Sequence, residues 1–532
     1  MPPREMIRWT LNRGAVAEVR LSRRVWWTAN LLFCATTIAA CGARDAGTVA
    51  LAKRHVVTRG NPIVADGSYY SADPAPLVIA DTLYIIAGRD EAPPAVNDFV
   101  MREWQVFSTE DVSGGHWTHY PGVLRPEQVF LWAAPGRAYA AQMVRVAERI
   151  YLYAPVIEAN SREQDQFAIG VAVADGPLGP WRDAHPQGPI ISQQLPQPNK
   201  IQNIDPTVLV DDDGRVYLYW GTFGQLRGVE LEADMVTPKA PIVQVQSLPG
   251  FFEASWLFKR KGVYYLAYAD NEAGPSSACT PAIYHACIAY GTATSPLGPW
   301  TYRGVILAPV SSTTSHPGIV EFKRQWYLVY HTADAVDGGH FRRSVAIDAL
   351  NWDDEEQPPR IREVKPTRAP GPTPARSRNI APSATAHASN EPVPVRYWIK
   401  ALNDGVVRAN PLPPDMWGSW APPNPVRQWI EYRWEKPVSI NGSRIWFWAD
   451  HPAGASEGVA PPKAWTLHFW NGIGWQAVAN PSGFGTQVSR VQTTAFDPVV
   501  TRRIRATFDA SGSGGHHAAV AVREWEILAT EK

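Results

Sequence analysis

Excess charge of either sign is missing from this chain, in which 50 Lys and Arg stand against 50 Asp and Glu over 532 residues. A balanced chain has no bulk attraction for a polyanion or an anionic membrane, which excludes nucleic acid held by net electrostatics. Amphipathic helical periodicity is scarce, and that argues against a helical fold. One long apolar run exists, VWWTANLLFCATTIAA, whose 16 residues are short for a membrane span. Cysteine is scarce as well. Of four, only Cys279 and Cys287 lie beyond the N-terminal segment, so at most one bridge joins them, and two free thiols fit equally.

What is abundant is tryptophan (23), tyrosine (19), proline (48) and glycine (40), the composition of a loop-rich all-β protein of two or three domains. From residue 61 to 365 the apolar runs are short, alternate, and are parted by turn signals. Four stretches repeat one pattern: SADPAPLVIADTLYIIAG, NIDPTVLVDDDGRVYLYWG, FEASWLFKRKGVYYLAYA and SHPGIVEFKRQWYLVYH. Each has a polar head, an apolar strand, a tight turn, and a second strand rich in Tyr or Trp. A fifth copy, AAQMVRVAERIYLYAP, fits at residues 140–155. A second signature, PLGPW, follows a strand at 177–181 and again at 296–300, and WQVFSTEDVSGGHW is a looser relative. Two signatures recurring in phase indicate one sheet per repeat, arranged radially, and five copies give a five-bladed β-propeller over residues 61–365.

The heads carry Asp73, Asp205, Glu253 and His316. In a propeller the innermost strands begin at one mouth of the central channel, so these four side chains are expected in one pocket. Asp73 and Asp205 each precede proline, which fixes the backbone and removes a donor. A single Asp-Pro is an ordinary turn signal; two at equivalent places, with Glu and His at the others, are not. Cleaving a glycosidic bond takes one carboxyl group to protonate the leaving oxygen and another to act on the far side of the anomeric carbon. In an inverting enzyme these stand roughly 6.5–9.5 Å apart with water between them. A third acid keeps the proton donor protonated by like-charge repulsion.

SADP, NIDPTVLVDDDG, FEASWLFKRKGVYYL, PLGPW, SHPGIVEF and HFRRSV together resemble glycoside hydrolase family 43. The resemblance implies a five-bladed propeller that acts on β-xylosides or α-L-arabinofuranosides with inversion. It implies Asp73 as general base, Asp205 as the acid that tunes pKa and orients, and Glu253 as general acid. It further implies a structural calcium or sodium ion at the channel centre with His316 as a contact, no organic cofactor, and Arg343 as a substrate-binding residue. Alternation points one of Arg342 and Arg343 inward, and Arg343 is expected there, with an inter-blade salt bridge as its other reading. Trp132 and Phe252 are expected as walls for the sugar ring. NWDDEEQPPRI departs from the glycine-bearing turn of relatives at the edge of the last blade.

KPTRAPGPTPARSR is a linker in composition, assigned to residues 366–378. Residues 379–532 read as short alternating strands of a β-sandwich. NIAPSATAHAS, LNDG, WIEYRWEKPVSINGSRIWFW and VREWEIL are similar to discoidin-like (coagulation factor 5/8 type C) domains, which implies a jelly roll and a carbohydrate-binding module. At the N-terminus, Arg20, Arg23 and Arg24 precede the apolar run, which closes on Ile38-Ala39-Ala40-Cys41-Gly42. Residues 1–41 are therefore expected to be an export signal with a lipobox, placing the protein in the periplasm or on the outer membrane through a lipid on Cys41. The expected activity is exo-release of xylose or arabinofuranose from plant cell-wall xylan, arabinoxylan or their oligosaccharides. A carbohydrate-binding lipoprotein without turnover, or an arabinan- or galactan-cleaving relative, is the competing reading.

Overall fold

The computed structural model of the protein describes residues 51–58, 60–94, 96–271, 285–367, 379–391, 393, 397–408, 411–412 and 415–529. The expected export segment, Cys279 and residues 368–378 of the expected linker lie outside them; Cys287 is engaged in a disulfide. Among the described residues no helix is long and apolar enough to cross a membrane.

The repeats form the blades of a five-bladed β-propeller. Their innermost strands are Ala72–Ile79, Gln142–Val146, Thr207–Val210, Phe251–Arg260 and Gly318–Phe322. Each pairs antiparallel with the strand after it through a tight turn. The third strands Trp104–Thr109, Phe167–Ala174 and Cys287–Ala293 are buried at every position, because blades cover both of their faces. The PLGPW tryptophans stand where the third strand turns into the fourth, and Trp300 reaches across to donate to the Tyr219 hydroxyl of the third blade at 3.1 Å.

Blades are tied by side chains aimed at neighbouring backbone. Gln142 exchanges two hydrogen bonds with the backbone of Val208, Thr207 accepts from the Leu257 amide, and the Trp256 indole donates to the Ile319 carbonyl. The ring is shut by residues 61–71 lying along the third strand of the last blade, Ser344–Leu350. Ile63 N–H donates to Val345 O, and Ser71 N–H to Arg343 O, both at 2.8 Å. The Asn61 amide accepts from Ile347 N–H and donates to Ile347 O.

The second β-rich domain has one seven-stranded sheet around a core that includes Trp417, Ile430, Ile445, Trp465 and Trp525. Its strands are not all short, as the sequence suggests. Arg427–Trp448 runs for 22 residues and Gln492–Asp509 for 18. Register breaks between Arg433 and Val438, around Pro437, and between Ile440 and Gly442 bend the longer strand, so one strand serves both halves of the domain. Buried Glu431 gathers Arg433, Arg503 and Arg505 at 2.6, 2.7 and 2.6 Å, and the Arg505 guanidinium lies over both Trp429 and Trp475.

Candidate active site

The three acidic heads are delivered by backbone irregularities at the starts of innermost strands. Asp73 sits in a bulge between Ala72 and Ala75, and Glu253 between register shifts at Phe251 and Trp256. Asp73 and Asp205 adopt φ of 56° and 55°, and Ala254, after the glutamate, adopts 60°. Such left-handed values are rare for residues with a Cβ and are held only where the surroundings over-determine them. A bulge re-aims a side chain that regular pleating would bury between blades.

The acids share one environment. The Asp205 carboxylate accepts the Ala254 amide at 3.0 Å, which locks the third blade to the residue after Glu253. Glu253 accepts from the Thr222 hydroxyl at 2.9 Å. Asp73 accepts from Arg343 Nη1 at 2.9 Å, and its amide donates to His331 Nδ1 at 3.2 Å. His331 Nε2 then donates to the Thr314 carbonyl at 3.0 Å, which fixes the neutral tautomer. Burial and the charge of Arg343 hold His331 far below the usual imidazole range.

Burial also raises all three carboxyls, and their neighbours set the order. Asp73 rises to about 6, restrained by Arg343 and pushed by Asp90. Glu253 rises to about 7, restrained by its Thr222 hydrogen bond and pushed by Asp73. Asp205 is raised well above the usual range by burial, then by Glu253 and Asp73. These are three acids in one pocket with unequal hold on their protons, the arrangement that separates a general acid from a general base. Asp73 keeps 13% of its side-chain surface exposed, so the pocket is open to solvent at that point.

Arg343 points inward, as alternation suggests, while Arg342 bonds the Asp337 carbonyl. The donors of Arg343 are engaged inside the protein. Nε and Nη2 form a fork on buried Asp90, and Nη1 serves Asp73 and Thr314. It is an inter-blade salt bridge that also grips the acid pocket. Trp132 is not brought to the acids; its indole donates to Asp183 on the outermost strand of the second blade at 3.0 Å and packs beside Phe130. Phe252 stands edge-on to exposed Phe223 beside Glu253. Phe99, under the Arg343 guanidinium at 4.8 Å, packs with Tyr139 and Phe341 as an aromatic wall that the sequence reading missed. Asp90, Thr222 and His331 were missed too. His331 closes the fourth repeat, and only its partners reveal its use.

His316 is buried near Arg343 and His331, and burial lowers its imidazole to about 3. Calcium takes six to eight oxygen ligands. Among the described residues no three His, Cys, Asp or Glu converge as a ligand set, so the side chains around His316 do not fit a calcium cage.

The family model of glycosyl hydrolases family 43 matches residues 60–358, more than half of the chain. The chain belongs to glycoside hydrolase family 43. Over 331 residues it is 31% identical to a xylosidase/arabinosidase of Bacteroides ovatus, covering 53% of this chain and 92% of that one. Over 338 residues it is 28% identical to xylosidase/arabinosidase 43A of Humicola insolens, covering 53% and 94%. A solved β-xylosidase/α-arabinofuranosidase from a compost microbial metagenome, bound to xylotriose in a calcium-free form, is similar with a TM-score of 0.48 and 26% identity, over 59% of this chain and 100% of the other. This family 43 chain is a glycoside hydrolase, and its acids stand at the innermost strands of the matched propeller.

Proposed function

We propose that the protein is an inverting, exo-acting glycosidase that releases xylose or arabinofuranose from xylan, arabinoxylan or derived oligosaccharides. Asp73 is the general base that takes a proton from water, Glu253 the general acid that protonates the leaving oxygen, and Asp205, fixed to the Ala254 amide, the coupled neighbour that orients Glu253 and tunes the proton affinities of the set. The observation that carries this reading is the convergence of three buried carboxyls of which Asp73 is paired with the Arg343 guanidinium and Glu253 with the Thr222 hydroxyl, so that burial raises Asp73 to about 6 and Glu253 to about 7. Between those values base and acid are both in their working states. Arg343 serves Asp73 by favouring its ionised form, and Phe252 with Phe99 and Tyr139 forms the apolar wall for the sugar ring. No step passes through an ion; a calcium or sodium ion at the axis would have to be held by carbonyls and water beside His316.

Residues 379–532 act as a discoidin-like, carbohydrate-binding module joined by a linker over 366–378. A cleft of about 530 Å³ at one end of that domain is lined by Trp420, Asp450, His451, Glu457, His516 and His517, a mixture of ring face and hydrogen-bonding groups suited to a neutral sugar. Residues 1–41 export the protein, with Cys41 as the site of a lipid anchor. Incubation with aryl β-xylosides, α-L-arabinofuranosides and β-galactosides, followed by NMR of the first-formed anomer, tests the catalytic reading. Release from the first two with inversion is expected. Retention, or release from neither, defeats it.

A further inference from the structure

We infer that Trp398, in the second domain, is a positioning residue for the catalytic pocket of the first, acting by holding residues 310–316 against the Asp73 cluster. The inference rests on the reading of Asp73 as general base and extends it to a residue outside the propeller.

The Trp398 backbone belongs to the second domain's frame. Its amide donates to the Met416 carbonyl at 3.2 Å, and its carbonyl accepts from Ala401 at 3.1 Å at the start of the turn Ile399–Leu402. Leu402 and Met416 are in that domain's core. The indole leaves this frame and packs on His285 of the propeller, with ring centroids 5.0 Å apart. Along the same seam the charge of Arg408 in the second domain helps to keep His285 neutral, and that of Arg342 in the propeller opposes the burial of Asp415.

His285 is wholly buried and hydrogen-bonds the Val310 carbonyl through Nδ1 at 2.8 Å. The next residue, Ala286, donates its amide to the Thr313 carbonyl at 2.9 Å. Residues 310–313 are thus pinned from the side on which Trp398 lies. On its other side the same segment touches the pocket. Thr314 Oγ1 lies 3.3 Å from Arg343 Nη1 and 3.1 Å from His331 Nε2, and the Thr314 carbonyl accepts from that imidazole. Arg343 and His331 are the two groups that hold Asp73. The chain of contact is therefore Trp398, His285, residues 310–314, Arg343 with His331, and Asp73, every link a packing contact or a hydrogen bond. Truncating the indole leaves a void behind His285, which the ring fills by shifting. The segment then slackens, and Arg343 no longer meets Asp73 at its present distance. Because Arg343 opposes the burial of Asp73 and the repulsion from Asp90, the ionised base becomes harder to form.

The test uses full-length Trp398→Ala and Trp398→Phe. In the alanine variant kcat on an aryl glycoside is expected to fall about 10-fold and the acid limb of the pH profile to move upward by about half a pH unit, while the phenylalanine variant stays within about twofold of wild type. A Trp398→Ala/Thr314→Ala double variant should be no worse than the poorer single one, since both act through one segment. Additive losses, or an alanine variant with unchanged kcat and acid limb, overturn the inference. If the alanine variant does not fold, Trp398→Leu is read by the same criteria. An independent readout is the His331 resonance in 15N-histidine-labelled protein. It should move in the alanine variant and not in the phenylalanine variant, and an unmoved resonance overturns the inference whether or not any glycoside is cleaved.

Discussion

Asp73 and Glu253 must hold opposite protonation states at one pH, and burial pushes both toward the neutral form. Arg343 breaks the tie, since its guanidinium touches Asp73 directly. The resulting pH profile of kcat/KM should be a narrow bell, rising through about 6 as Asp73 ionises and falling through about 7 as Glu253 does. These limbs belong to the coupled set of acids, so Asp205→Asn, which removes one member of the set, should move the pH profile as well as slow the reaction. Glu253→Gln should lose orders of magnitude on xylosides with poor leaving groups and far less on activated aryl glycosides. Equal losses on both would remove Glu253 from the acid's role. The same substitution should stabilise the fold. A carboxyl whose folded pKa is raised from 4.5 to about 7 loses stability as pH climbs through that window. The benefit of Gln should be near zero at pH 4 and reach roughly 3 kcal/mol above pH 8, by urea titration at both pH values.

At the scale of elements, the closing segment has a specific weak point. Asn61 is buried and gives its amide to the backbone of Ile347 and to Asp348 in the last blade. Asn61→Ala strands those groups without partners and should cost roughly 2–4 kcal/mol in denaturant unfolding, with the midpoint lowered. The five innermost strands were legible because each repeats a polar head, an apolar run and an aromatic second strand. The bulges that aim Asp73 and Glu253 were not legible, since a positive φ at aspartate leaves no mark in composition. Arg343 was located correctly and its partners were not, because Asp90 stands outside every repeat. A tryptophan before a blade suits a sugar wall and a packed loop equally, and the sequence does not show that the Trp132 indole donates to Asp183. In the second domain, alternation broken at Pro437 looks like a strand ending, whereas the chain bends there and continues.

Across the whole molecule, each hydrophobic cluster of the described residues lies either within the propeller or within the second domain, and none is shared. Glu431 anchors the latter's charged cluster. Glu431→Gln leaves three partly exposed arginines facing one another, and should lower the melting transition of the second domain by an amount equivalent to roughly 1.5–3 kcal/mol. Turnover of small aryl glycosides below that transition should be unchanged, which calorimetry and a rate assay on one sample would check. The propeller itself carries its first acid near the start of the first blade and that acid's arginine in the last, 270 residues later. A chain emerging from the ribosome therefore holds an aspartate without its arginine partner until the final blade arrives. Hydrolytic competence is then a property of the shut circle alone, and recovery of activity during refolding reports when the first and fifth blades meet.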